Sequence, residues 1–317
     1  MGCRGPVGTL AGPRAQGRWL VATPRIVGPW VTVYRPEPDR FDGPDTVELA
    51  AGRIYAEWVP NDHTVVRGPD GRWHALGITH PITSSANVHD GEYQLFHAAA
   101  PPGELAEALV EGLWEELPKA LCPADRPGEP PQIYAPHGVR RGDAYLMVYG
   151  PDPLRLATSP DLIHWTPRGP LFWEEPTTRD PMLFRVGDID HLIYCSLDRV
   201  MMRTSADLQT WSAAETLLQM PDGIAPESPF MVEREGAFFL FVCGYDGLWD
   251  GADLSGAYQH KTWVFRSDGP RGFDPARPIA QLEAHAPEVI RGEQGGWYLS
   301  SVEWPRRGLS IAEMAWD

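Results

Sequence analysis

The chain has 317 residues, with 27 Lys and Arg against 43 Asp and Glu and a formal charge of −16. Its 43% apolar content can build a full core, which excludes wholesale disorder. The acidic balance, without any Lys/Arg-rich run, excludes nucleic acid and anionic membranes as natural partners, and no apolar stretch approaches the roughly 20 residues of a membrane span.

At roughly 150 residues per domain the length predicts two domains, although single β-propellers often run longer. The 32 glycines and 33 prolines are far above average usage and predict many short strands joined by turns. The 13 tryptophans point to flat apolar ligands such as sugars.

Residues 1–30 are rich in Gly, Pro and Arg and are expected to be an extension with a mobile start. They lack the apolar stretch of about 7–15 residues that marks a signal peptide, so cytoplasmic residence is expected, or export if the true start lies elsewhere. Residues 31–317 are expected to form one domain interrupted by an insertion at 99–131. Within that insertion, Leu105, Ala108, Leu109, Leu113 and Leu117 recur at helical spacing after Pro101 and Pro102, which predicts a helix over 103–121. Four cysteines, Cys3, Cys122, Cys195 and Cys243, have neither metal-ligand nor CxxC spacing. Cys195 and Cys243 lie in strand-like runs, IYCS and FVCG, and read as buried free thiols.

From residue 58 onward a unit recurs: a short polar motif, an apolar strand, a Gly/Asp turn and an aromatic-rich strand. TSPDLIHW at 158–165 returns as TSADLQTW at 204–211, with a weaker echo at 265–273. Five units of roughly 45 residues predict an all-β fold, a five-bladed β-propeller with a short helical insertion. A two-sheet sandwich would alternate strands and turns equally well but would not repeat a motif.

In a propeller the innermost strand of each blade starts near one mouth of the central channel. The polar motifs Asn61-Asp62-His63, Pro136-His137, Arg179-Asp180-Pro181, Glu227-Ser228-Pro229 and His285-Ala286-Pro287 should therefore converge there. A single Asp before a strand is most often a turn residue. Three carboxylates at one phase of a repeat suit glycosidic bond cleavage, in which a carboxylic acid protonates the leaving oxygen and a carboxylate activates water or attacks carbon. Glu227, beside Ile224, Pro226, Pro229 and Phe230, is the expected acid. Asp62 is the expected base or nucleophile, and Asp180 is expected to tune the acid and hold a sugar hydroxyl.

These motifs resemble those of the five-bladed propeller glycosidases, glycoside hydrolase families 43 and 32. YAPHGV (134–139), DPMLF (180–184), HAPEV (285–289) and the Glu-x-Pro of 227–229 are similar to family 43, whereas Trp58-Val59-Pro60-Asn61-Asp62 and the RDP of 179–181 are similar to family 32. The resemblance implies the same three roles for Asp62, Asp180 and Glu227. The chain departs from both families at His63, where proline is usual, and at Ser228, where Gly or Cys is usual.

The resemblance also implies no required cofactor, but it admits a structural calcium ion near His285 in the channel. Trp58, Trp249 and Trp304 are candidate sugar platforms, and Asn61, His63, His137, Arg179 and His285 are candidate substrate ligands. The expected activity is removal of a terminal arabinofuranosyl, xylosyl or fructofuranosyl unit from a short oligosaccharide or small glycoside, with carbohydrate as the partner. Two alternatives stand beside it: a glycoside phosphorylase, and a sugar-binding or repurposed propeller without catalysis.

Overall fold

The computed structural model describes residues 22–82, 91–221, 223–245 and 260–317. The first strands, β1 (Pro24–Ile26) and β2 (Val31–Tyr34), precede a small hairpin of β3 (Asp39–Arg40) and β4 (Ile54–Tyr55). Blade one follows as β5 (Trp58–Arg67), β6 (Trp73–Pro81), β7 (Gln94–Ala99) and β8 (Glu115–Ala120). Blade two is β9 (Tyr134–Arg141), β10 (Ala144–Gly150), β11 (Leu154–Ser159) and β12 (Thr166–Phe172). Blade three is β13 (Arg179–Val186), β14 (Ile189–Ser196), β15 (Arg199–Ser205) and β16 (Glu215–Gln219). Blade four is β17 (Ala225–Arg234), β18 (Ala237–Tyr245), β19 (Lys261–Ser267) and β20 (Ala280–Glu283). Blade five contains β21 (Val289–Arg291), β22 (Trp297–Val302) and β23 (Leu309–Trp316).

Each of the first four blades is an antiparallel meander in chain order, and inner strands β5, β9, β13 and β17 pack side by side around a common axis. Together with blade five they make the five-bladed propeller.

The apolar runs reflect how a blade is buried. In β10, Leu146 and Val148 pack against blade three, whereas Met147 and Tyr149 pack against blade one. In β18, Leu240 and Val242 face blade three while Phe239 and Phe241 face blade five. Successive side chains point to opposite faces of a strand, so a strand sandwiched between two neighbours is apolar at every position.

The repeated motif makes one turn twice. Ser159 Oγ accepts hydrogen bonds from the N–H groups of Asp161 and Leu162, and Asp161 Oδ1 accepts from Ile163 and His164. Ser205 and Asp207 repeat all four bonds, so the motif joins the third strand of its blade to the outer strand.

Two expectations need correction. Fold closure begins inside the supposed extension: Pro24, Arg25 and Ile26 pair with Trp316, Ala315 and Met314, and β2 also pairs with β23. The 103–121 helix is absent. Leu105–Ala108 forms one 3₁₀ turn, and Glu115–Ala120 becomes the outer strand of blade one. Gly112 at φ 63° reverses the chain, Leu113 is exposed, and Pro118 would interrupt a helix. On an edge strand, Pro118 leaves no ladder bond unmade. Among the described residues, no helix is long and apolar enough to cross a membrane.

Candidate active site

One irregularity, repeated in every blade, builds the site. In blade one Pro60 faces Thr79 and His63 faces Gly77, so three steps on the inner strand match two on its neighbour. The same extra residue lies between Tyr134 and His137, between Arg179 and Met182, and between Glu227 and Phe230. In blade five, the carbonyls of His285 and Glu288 receive the N–H groups of Val302 and Ser300, which gives the same count. Ala135, Asp180, Ser228 and Ala286 hold φ between 34° and 54° at corresponding positions, each followed by proline. A β-bulge bends its strand and re-aims a side chain. Here Asn61 takes the step that Asp180 and Ser228 take in their blades, Asp62 falls one residue further on, and Asp62, Asp180 and Ser228 all line the channel.

The three carboxyl groups meet around Arg179 and Ser228. Arg179 Nη1 is ion-paired with Asp180 Oδ2 and lies 3.6 Å from Glu227 Oε1, while its Nη2 donates to the Pro226 carbonyl at 2.8 Å. The Ser228 hydroxyl donates to Asp62 Oδ1, and the Ser228 N–H donates to Asp180 Oδ2 at 3.3 Å. Burial, followed by the Asp180 charge, raises the Asp62 pKa well above the ordinary carboxylate range; the Ser228 hydroxyl opposes this, and Glu227 and Glu92 add to it. Burial works against the Arg179 charge, but Asp180 and then the other acidic groups more than offset it, so the guanidinium stays charged.

A small channel cavity of about 30 Å³ runs from this layer inward, lined by Asp62, Asp180 and Ser228 and then by His63, His137, Met182, Phe230 and Glu288 among others. Burial lowers the pKa of both histidines to about 3, so they are neutral imidazoles. His63 Nε2 shares a hydrogen bond with Ser300 Oγ at 2.8 Å, and His137 Nδ1 accepts the Leu183 N–H at 3.2 Å. Glu288 receives the Val65 N–H at 2.7 Å, and burial pushes its carboxyl up to about 8.

The structure therefore divides the expected site residues. Asp62, Asp180, Glu227, Asn61, Arg179 and His285 come together at the bulge layer. His63 and His137 lie deeper, as channel lining. Trp58 is not a platform: it is buried against Phe41, Leu49 and Tyr93, and Lys119 Nζ lies 4.8 Å from its ring centroid. Trp304 is half-buried and stacks on His260 at 6.3 Å. Trp249, with most of the loop at 243–260, lies outside the described residues.

Sequence reasoning did not single out Glu288, Glu303 or Cys243 as site residues, and Ser228 drew notice only as a departure. The position of Ser228 at the extra-residue step was the available signal. His285, the expected neighbour of calcium, has a mixed donor set around it. Its Nδ1 faces Cys243 Sγ at 3.5 Å, and its Nε2 faces the oxygens Asn61 Oδ1 at 3.3 Å and Glu303 Oε2 at 3.7 Å.

No family model and no curated protein sequence matches the chain. Solved structures do. A thermostable family-43 glycoside hydrolase matches with a TM-score of 0.58 at 15% identity, over 83% of this chain and 90% of its own. An exo-1,5-α-L-arabinanase from a bovine ruminal metagenomic library gives 0.57 at 17% identity, over 80% and 92%. The Bombyx mori GH32 β-fructofuranosidase gives 0.56 at 20% identity; the match spans 80% of this chain and 59% of that protein. At these identities the likeness is one of fold, and the two families are those whose motifs the sequence resembles.

Proposed function

We propose that the protein is a glycoside hydrolase that removes a terminal furanosyl or pentosyl unit, of the arabinofuranosyl, xylosyl or fructofuranosyl kind, from a short oligosaccharide or small glycoside. The observation that carries this reading is the convergence of Asp62, Asp180 and Glu227 from one bulge layer of blades one, three and four, the last two around the Arg179 guanidinium and Asp62 on the neighbouring Ser228 hydroxyl. Glu227 is the general acid, giving its proton to the leaving glycosidic oxygen. Asp62 is the base that takes a proton from water, or the nucleophile that attacks the anomeric carbon. Asp180 fixes Arg179 and repels charge on Asp62, and Arg179 orients both neighbouring carboxyl groups. The names of the similar structures, an arabinanase, a β-fructofuranosidase and a β-xylosidase/α-arabinofuranosidase, fit the same substrate class.

A phosphorylase would need cations converging on a phosphate. The Arg179 guanidinium is taken up by Asp180, Glu227 and the Pro226 carbonyl, which favours water as the acceptor. Hydrolysis of a panel of aryl pentosides and furanosides plus sucrose, with and without phosphate, tests both readings. The expected result is phosphate-independent turnover that falls by about 10²–10⁴ in Asp62→Asn and in Glu227→Gln, the usual contribution of a general acid or base. Full activity in either variant overturns the assignment of that residue. Silence across the panel, together with retained sugar binding, would move the protein to the non-catalytic reading.

A further inference from the structure

We infer that Glu227, Cys243 and His285 form a binding site for a soft or borderline divalent cation, of which zinc is the type, at the edge of the carboxylate layer. One potential ligand atom from each residue lies within 4.8 Å of the other two, and Cys243 and His285 are buried. The fold dictates the grouping. Glu227 and Cys243 are directly opposed on neighbouring strands β17 and β18, and His285 enters from the bulge of the next blade.

Three features fit a thiolate–imidazole–carboxylate site. His285 Nε2 faces Asn61 Oδ1 at 3.3 Å and Glu303 Oε2 at 3.7 Å. With its proton on Nε2, the ring presents the Nδ1 lone pair to Cys243 Sγ. A carboxylate behind a ligating histidine is the usual outer partner that fixes its tautomer. Bonds of about 2.3 Å to sulfur and about 2.0–2.1 Å to nitrogen at a tetrahedral angle put the two donors about 3.5 Å apart, which is the distance observed. Burial, then the Glu227 charge, raises the Cys243 thiol pKa, and the hydrogen bond from the Ala286 N–H works against them in favour of the thiolate that a metal takes. Binding forms the metal–sulfur, metal–nitrogen and metal–oxygen bonds and releases the Cys243 thiol proton to solvent. Among the described residues the site gathers three protein ligands, and a tetrahedral ion takes a fourth.

The chemistry separates this site from a calcium site, since thiolate and imidazole select zinc-like ions over hard cations. It also links the cation to catalysis, and this link alone rests on the glycosidase reading: a metal that holds Glu227 removes the proposed acid. The site would then stop hydrolysis reversibly whenever zinc is taken up.

Cobalt(II) titration of the chelator-treated full-length protein tests the inference without any substrate. The expected result is one equivalent of cobalt taken up with a thiolate-to-cobalt charge-transfer band, displaced by zinc and unaffected by calcium. The band should survive in Cys3→Ser, Cys122→Ser and Cys195→Ala, and vanish in Cys243→Ala. Glu303→Gln should weaken cobalt affinity about 10–100-fold, with the folded state checked by circular dichroism. A protein that takes up no cobalt, or whose band survives Cys243→Ala, overturns the site and leaves Cys243 and His285 as a hydrogen-bonded pair. If the substrate panel yields turnover, one equivalent of zinc should abolish it and chelator should restore it. Cobalt uptake with zinc-insensitive turnover would overturn the link to Glu227 while keeping the site.

Discussion

Asp62 lies between opposing influences. Burial, the Asp180 charge and Glu227 favour its protonated form, and the Ser228 hydroxyl favours its charged form. In the proposed role of base it must be ionised, so kcat/KM should rise with pH as Asp62 loses its proton, along an acid limb above the ordinary carboxylate range. Ser228→Ala removes that stabilising donor and should move the limb to still higher pH. An unmoved limb would show that a different group governs it. Gly77 offers a second test at this scale. A Cβ there would fall 2.5 Å from the Phe96 ring, 2.7 Å from His63 Cβ and 2.8 Å from the Asp62 carbonyl, so Gly77→Ala must displace both the Phe96 ring and the inner strand that carries Asp62. Misplacement of a reacting group by about 1 Å can lower turnover about 10²-fold. The expected outcome is therefore a fall in kcat larger than any change in the unfolding midpoint, read by steady-state kinetics and calorimetry on the same preparation.

At the scale of elements, the inner strands supply the chemistry and the channel they enclose carries its own pH dependence. Glu288 has a pKa of about 8 in the folded protein against 4.5 when free. The folded state therefore holds this proton more tightly than the unfolded chain does. Its contribution to stability is complete below about pH 4.5 and is lost as pH rises through 8. Glu288→Gln cannot titrate, so the wild-type midpoint should decline relative to that of the variant across this window; parallel curves would contradict the assignment. Much of this scale was legible from sequence. The Ser and Asp of the repeated motif impose their turn through bonds to adjacent N–H groups, and a local motif predicts a local structure. The helix over 103–121 failed because its spacing is also met by a 3₁₀ turn followed by a strand, and only the partner strand β7 decides between them. Trp58 failed for a related reason. Its neighbours Phe41, Leu49 and Tyr93 are distant in sequence, so its burial could not be read from its own surroundings. The three carboxylates could be named because each blade opens its inner strand with a short polar motif, closed by proline in blades three and four and by His63 in blade one. The meeting of Cys243 with His285, or of Val65 with Glu288, depends on how blades adjoin and leaves no mark in either segment.

For the whole molecule, the propeller is a ring of five sheets with an apolar layer in each gap, and the final gap is sealed by both ends of the described chain. Val33 and Tyr34 of β2 are fully buried with Ile311 and Leu309 of β23. Full burial of one apolar side chain is worth about 1.5–3 kcal/mol. Deleting residues 1–35 should therefore lower stability by several kcal/mol and depress the unfolding midpoint, and an unchanged midpoint would mean that closure contributes little. The same closure sets an order of events during synthesis. Blades one to four each pair with strands made shortly before them, so they can form as the chain emerges. Blade five waits: Arg25 must find Ala315 across almost the entire sequence. Contacts of such separation form late, because the loop they close carries the largest entropic cost. The channel mouth, including the side of it supplied by His285, is therefore complete only once β23 has been made and paired. The nascent chain would carry its three carboxylates on an open arc, unable to act until the ring shuts.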